Sequence, residues 1–328
     1  MCTGIALGNK NVGCNTLSRT LDFVFMQDSE LVVLPRGYKW TGLTDGVEYT
    51  TKYALTGMGD ALAGYMFNDG VNEKGLAGAM LYLPGFAEYN KEIEAGKLNL
   101  APFEVLKYFL TECANVKEVI EAAKNLRMID MPIPQFNMEL PVHWILSDKE
   151  GETVIVETVG KSVQIYEQNV GVMTNSPSYN WHLTNLQNWM HISTTNPTME
   201  LNNFQIPVRG EGYGLKLPGG VNPTDRFVRA AIGRQLMLNK DLITSEQEAI
   251  LHAFKLMDNV AIPKGYMDMH GQPDYSIYKI CMSCSEQKYY YKTYKTDTLT
   301  CLDLNKYKDI TEPKHFKLVN EFIVQEMV

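Results

Sequence analysis

The sequence predicts an α+β protein built from packed layers of strands and helices. Period-two patterns run through both ends of the chain, and helical periodicity comes in separate blocks between them. Strands, helices, strands, helices and strands follow in that order, which does not fit a simple βαβ alternation.

In chain order, Thr3, Ile5 and Leu7 alternate with Cys2, Gly4 and Ala6 as a first strand. Gly8-Asn9-Lys10-Asn11 is a turn, and residues 12–21 return as the second strand. Residues 30–35, 49–56 and 75–83 read as further strands, punctuated by glycines that suit bulges and close backbone approaches. Pro102 suits a first helical turn; Phe103, Leu106, Phe109 and Leu110 form its apolar stripe, and 116–126 carries another. Pro132, Pro134 and Pro141 break the chain, and strands resume at 142–147, 153–158, 162–166 and 171–174. A helix is expected over 179–190, long loops over 193–224, and helices over 225–238 and 245–258, the last opened by a Ser245/Glu248 capping box. Strands at 275–282, 288–294 and 298–303 close the pattern.

The 328 residues are 45% hydrophobic and 21% charged, ample for a sizeable core, so disorder is excluded as the main state. Lys and Arg number 30 against 38 Asp and Glu, a net charge of −8 that offers no footprint for nucleic acid. No apolar run reaches membrane-spanning length, and the first residues lack the basic and apolar stretches of a signal peptide. Six cysteines are too sparse for a disulfide scaffold. A reduced, cytoplasmic protein is the expectation.

The glycine clusters match neither a dinucleotide fingerprint nor a P-loop, and the six histidines are scattered without a metal-binding spacing. Cys281-x-x-Cys284 is one pair inside a strand pattern, where a zinc site needs four ligands; a redox or metal role for it is a rival reading. Cys2 is the feature that carries chemistry. If Met1 is removed, one residue holds both a thiol nucleophile and a free α-amine, which can act as base near neutral pH without a histidine. The alternative is an incidental cysteine. Arg19 and Asp22 lie on the strand that pairs with Cys2, where an arginine favours thiolate and an aspartate holds the amine. In a regular strand these two point to opposite faces, so both reach one site only if the strand bends or ends there.

Met1-Cys2-Thr3-Gly4, Arg19-Thr20-Leu21-Asp22, Val71-Asn72-Glu73-Lys74-Gly75-Leu76, the 171–177 stretch Gly-Val-Met-Thr-Asn-Ser-Pro and Leu217-Pro218-Gly219 stand in one order. With them the chain resembles the choloylglycine hydrolases, the N-terminal-nucleophile family of bile salt hydrolases and penicillin V acylases, over nearly its whole length. The resemblance implies a four-layer αββα sandwich, two mainly antiparallel sheets between helical layers, formed by one domain over 2–328. It implies cofactor-free and metal-free cleavage of a small-molecule amide, and a homotetramer. Carried over, Cys2 matches the nucleophile and its amine the base, Arg19 the arginine beside the thiol, and Asp22 the carboxylate that binds the amine. Asn175 matches the side-chain donor of the oxyanion hole, and Arg226, in Asp225-Arg226-Phe227, the arginine that supports the site. Tyr82 follows Gly78-Ala79-Met80-Leu81, and by the same resemblance its backbone N–H matches the second oxyanion donor.

Bile salt hydrolases usually resemble one another in having Asn where Tyr82 stands, and several penicillin V acylases have Tyr. That resemblance favours a phenoxyacetyl amide, with conjugated bile salts as the alternative substrate and a non-catalytic binding scaffold as the rival from another class. Pocket candidates are Phe23, Met26, Met58, Tyr65, Ile133, Phe136 and Leu140, with ordinary core packing as the other reading for all seven. Residues 220–224 and 276–284 depart from the family pattern, which bears on loop geometry and substrate choice more than on the nucleophile.

Overall fold

The computed structural model describes residues 1–24, 30–60, 64–134, 139–206, 212, 214–269 and 271–327. Its first sheet runs in the order Val172–Met173, Cys2–Asn9, Cys14–Phe23, Tyr275–Ser283, Lys288–Thr293, Thr296–Asp303, with every described pairing antiparallel. The second, also antiparallel, runs Ser162–Tyr166, Thr153–Val159, Val142–Ser147, Ala77–Tyr82, Asp69–Asn72, Leu55–Asp60, Glu30–Leu34, Lys314–Phe316, with Met66–Phe67 added beside Leu55–Asp60. Helices α1 (Pro102–Glu112) and α2 (Val116–Lys124) cover the outer face of the second sheet. Helix α3 (Tyr179–Asn185) follows the Val172–Met173 strand. Helices α4 (Pro223–Leu238) and α5 (Glu246–Asp258) cover the outer face of the first sheet. The layers are therefore αββα, as the resemblance implied. Among the described residues no helix is long and apolar enough to cross a membrane.

This layering explains why the first strand is buried at every position from Cys2 to Leu7. One face meets the second sheet and the other meets α4 and α5, so neither can be polar. One core cluster lies between the sheets and beneath α4 and α5; another lies between the second sheet and α1 and α2. The helix starts follow local rules. Glu104 Oε2 accepts from Ala101 N–H at 3.0 Å with Pro102 in the first turn of α1, and Ser245 Oγ accepts from Glu248 N–H at 3.3 Å at α5.

Three expectations are corrected. The 49–56 strand is two elements, because the chain turns where Thr51 N–H donates to Tyr38 C=O and Lys52 N–H to Thr111 C=O. Glu48–Thr50 pairs with Lys39–Thr41, and Leu55–Asp60 enters the second sheet. The 179–190 helix ends at Asn185 and continues as a 3₁₀ turn, Leu186–Trp189. The 193–224 loops contain a hairpin, Met199–Leu201 with Phe204–Ile206, turned by Asn202 and Asn203 at φ 51° and 62°, where asparagine tolerates the left-handed backbone.

Close approach, rather than a turn, explains Gly57. A Cβ there would stand 2.0 Å from the Asp69 carbonyl oxygen. Gly57→Ala is expected to lower stability by roughly 3 kcal/mol in urea unfolding. Gly219→Ala, where a Cβ meets nothing within 4 Å, should stay within about 0.5 kcal/mol. Equal effects of the two would contradict the packing.

Candidate active site

The first two strands pair so that Cys2 faces Leu21 and Gly4 faces Arg19. Cys2 is 4% exposed and Arg19 is fully buried. Arg19 Nη2 lies 2.8 Å from Cys2 Sγ, while Nη1 donates to Asn68 C=O at 3.0 Å and pairs with Asp69 Oδ2 at 3.2 Å. Asp69, buried in the second sheet, also accepts from Tyr278 Oη at 3.1 Å and from Tyr289 Oη. Burial pushes the Asp69 carboxyl above its ordinary range, with Arg19 and the two phenols opposing. Burial alone would lower the Arg19 pKa, but Cys2, Tyr278 and Asp69 outweigh it and hold the guanidinium charged.

A register shift puts Arg19 and Asp22 on one site. Leu21 faces Tyr278 but Asp22 faces Ser276, leaving Ile277 over as a bulge, and a bulge bends and twists the pair locally. Asp22 Oδ1 then accepts from Ser276 Oγ at 2.5 Å, and Oδ2 lies 3.3 Å from Thr20 Oγ1 and 3.7 Å from Arg226 Nη1. Met1 continues the first strand here: its carbonyl accepts from Asp22 N–H at 2.7 Å and its ammonium donates to Asp22 C=O.

Arg226 sits in the first turn of α4, whose start is fixed by Asn222 Oδ1 accepting from Asp225 N–H at 2.9 Å. Its Nη1 donates to Cys2 C=O at 2.6 Å and its Nη2 to Asn175 Oδ1 at 2.9 Å. Cys2 N–H donates to the same Oδ1 at 2.8 Å. Two donors on Oδ1 fix the Asn175 amide, whose Nδ2 gives one hydrogen to Tyr82 C=O at 2.7 Å. A primary amide has a second Nδ2 hydrogen to offer. The Tyr82 backbone N–H is placed near it. Leu83 N–H goes to Pro141 and Met80 N–H to Asn68. By strand alternation, Tyr82 N–H leaves the Val142–Ser147 side and shares an edge with its own carbonyl, where Asn175 lies.

The structure thus brings Cys2, Arg19, Asp22, Asn175, Arg226 and the Tyr82 backbone together. It also brings residues the sequence did not single out. His182 Nε2–H donates to Asn175 C=O at 2.8 Å, and burial lowers its pKa to about 4, so it stays neutral. His143 bridges Glu157 Oε1 and Thr174 C=O, both at 2.8 Å. Ser276 and Tyr278, in a segment that departs from the family pattern, contact Asp22 and Asp69.

Of the pocket candidates, Met58 and Ile133 are core residues, 0% and 2% exposed. Met58 lies in the cluster between the sheets and Ile133 in the cluster under α1 and α2, which corrects the pocket reading for both. Phe23, Tyr65 and Leu140 are half-buried, with Tyr65 hydrogen-bonded to His315 Nε2 at 2.9 Å. Met26 and Phe136 lie outside the described residues. Cys281 and Cys284 are buried core thiols; burial pushes Cys281 up to about 12 and Cys284 well above its ordinary value, which leaves little thiolate for redox or metal chemistry.

Asp69→Asn leaves the Arg19 charge buried without its carboxylate, and breaking such a pair costs about 3–5 kcal/mol. Urea unfolding should show that loss; an unchanged midpoint and slope would contradict the network.

A bile salt hydrolase/transferase from Clostridium perfringens is 34% identical over 93% of this chain and 93% of its own. A crystal structure of a variant of the conjugated bile acid hydrolase from Clostridium perfringens superposes with a TM-score of 0.91 at 32% identity, covering all of both chains. A penicillin V acylase from Pectobacterium atrosepticum is 27% identical over 76% of this chain and 66% of its own. The penicillin V acylase structure from Agrobacterium tumefaciens shares the fold, with a TM-score of 0.75 at 22% identity over 97% of this chain and 91% of its own. The model of linear amide C–N hydrolases, choloylglycine hydrolase family, matches residues 2–316, and the chain belongs to that family.

Proposed function

We propose that this chain hydrolyses conjugated bile salts at the amide bond, with Cys2 as nucleophile after Met1 is removed. The observation that carries the mechanism is the meeting of Cys2 N, Cys2 Sγ and the Asn175 amide in one buried network, with Arg19 2.8 Å from the sulfur. In the processed chain the Cys2 nitrogen is an α-amine. It takes the thiol proton as sulfur attacks the carbonyl carbon, and Arg19 stabilises the sulfur's negative charge. The remaining Asn175 Nδ2 hydrogen and Tyr82 N–H receive the oxyanion; loss of one such donor typically costs about 2.7–4 kcal/mol of transition-state stabilisation. The α-ammonium then protonates the departing amine, and water attacks the thioester. Arg226 holds Asn175 and the Cys2 carbonyl in register, Asn175 Oδ1 holds the Cys2 nitrogen, and the Asp22 carboxylate lies 3.7 Å from Arg226. The scaffold reading would leave this arrangement without a use.

The substrate class rests on the relatives: the 34%-identical protein acts on bile salts, whereas the acylase relative matches less of the chain at lower identity. One observation favours the second reading, a phenoxyacetyl amide. The Tyr82 side chain is 38% exposed on a residue whose backbone carbonyl accepts from the Asn175 amide, and an exposed ring there suits a flat aromatic acyl group.

Amine release from glycocholate, taurocholate and penicillin V by purified, reduced protein tests both readings. Faster bile salt cleavage is expected; faster penicillin V cleavage would overturn the substrate class and keep the mechanism. Cys2→Ala should lose at least a thousandfold in turnover while unfolding at the parent's urea midpoint, and substantial residual turnover would place the nucleophile elsewhere.

A further inference from the structure

Asp274 is a buried carboxylate that the proposed mechanism does not use. It lies just before the Tyr275–Ser283 strand and is 1% exposed. Among the described residues neither carboxylate oxygen has a hydrogen-bond partner. Its counter-charge is the Met1 ammonium, 3.5 Å from Oδ2, which also donates to Asp22 C=O. Burial raises the Asp274 pKa; that ammonium and Arg226 oppose the rise and Asp22 adds to it. Removal of Met1 would therefore leave a carboxylate and a main-chain carbonyl facing the same small space, both as acceptors. A buried carboxylate left without a partner is costly.

That space lies next to the reacting atoms. Backbone nitrogens of successive residues stand about 3–3.5 Å apart, so an N–H group placed where the Met1 nitrogen sits is within hydrogen-bond reach of the Cys2 α-amine. The Met1 ammonium thus acts as a stand-in for a second nitrogen poised at proton-transfer distance.

We propose that Asp274 and the Asp22 carbonyl form the binding site for the leaving amine of the substrate. The inference rests on the functional reading above, in which Met1 is removed and Cys2 attacks an amide. As the tetrahedral intermediate collapses, the C–N bond breaks and its electron pair goes to nitrogen. Nitrogen takes the proton from the Cys2 α-ammonium, and the thioester remains on sulfur. The N–H groups of the departing primary amine point at Asp274 and Asp22 C=O. The site selects amines that carry N–H donors and makes no demand on the acyl group.

The test compares Asp274→Asn with the parent, each taken as the species whose intact mass begins at Cys2. The substrates are an amide and the phenyl ester of the same acid, whose leaving group has no N–H. A loss of at least tenfold in kcat/KM on the amide is expected, with ester cleavage within twofold of the parent. Equal losses on both would assign Asp274 to the α-amine or the fold and overturn the proposal, as would no loss on either. A parent that cleaves neither would overturn the functional reading and the inference with it. Should the variant not fold, the parent's ester cleavage decides. Methylammonium should inhibit it saturably and tetramethylammonium, which has no N–H, should not; equal inhibition or none would overturn the site.

Discussion

The site depends on one buried charge. The Arg19 guanidinium is fully enclosed between the two sheets, and an isolated charge there would be untenable. Its planar fork solves this by reaching in several directions at once: to Cys2 Sγ, to Asn68 C=O and to the Asp69 carboxylate. Asp69 is in turn held by two tyrosines of the first sheet. The charge beside the thiol is therefore also a tie between the sheets, and Cys2 cannot move without disturbing the sandwich.

A second arginine performs the matching task at the other end of Cys2. Arg226 joins the start of α4 to the Cys2 carbonyl and the Asn175 amide, while His182 and His143 fix the backbone at 174 and 175 from behind. Cys2 and Asn175 are thus held by elements of three layers: Arg19 of the first sheet, Tyr82 of the second and Arg226 of α4. Preorganised donors of this kind need little rearrangement when negative charge develops on the substrate oxygen.

Much of this was legible in the sequence, and what was not has a physical reason. The first two strands, the helix starts and the grouping of Cys2, Arg19 and Asp22 follow from local pattern and from ordered motifs. The bulge that reconciles Arg19 with Asp22 lies in the partner strand, where Ile277 is the extra residue; a strand read alone cannot reveal it. Asp69 lies 209 and 220 residues from Tyr278 and Tyr289, its hydrogen-bond partners, and nothing in that spacing announces contact across two sheets. His143 and His182 looked unremarkable for the same reason. Met58 and Ile133 read equally as pocket wall or core, and only their burial in the packed layers decides for core.

The account's central claim is that an acyl group passes through Cys2 of a chain that has lost Met1. Rapid acid quench of the protein during turnover of glycocholate, followed by peptide mass analysis, tests it most directly. The account predicts a cholyl adduct on a peptide that begins at Cys2. An adduct on any other residue, or turnover by protein whose N-terminal peptide still carries Met1, would contradict it.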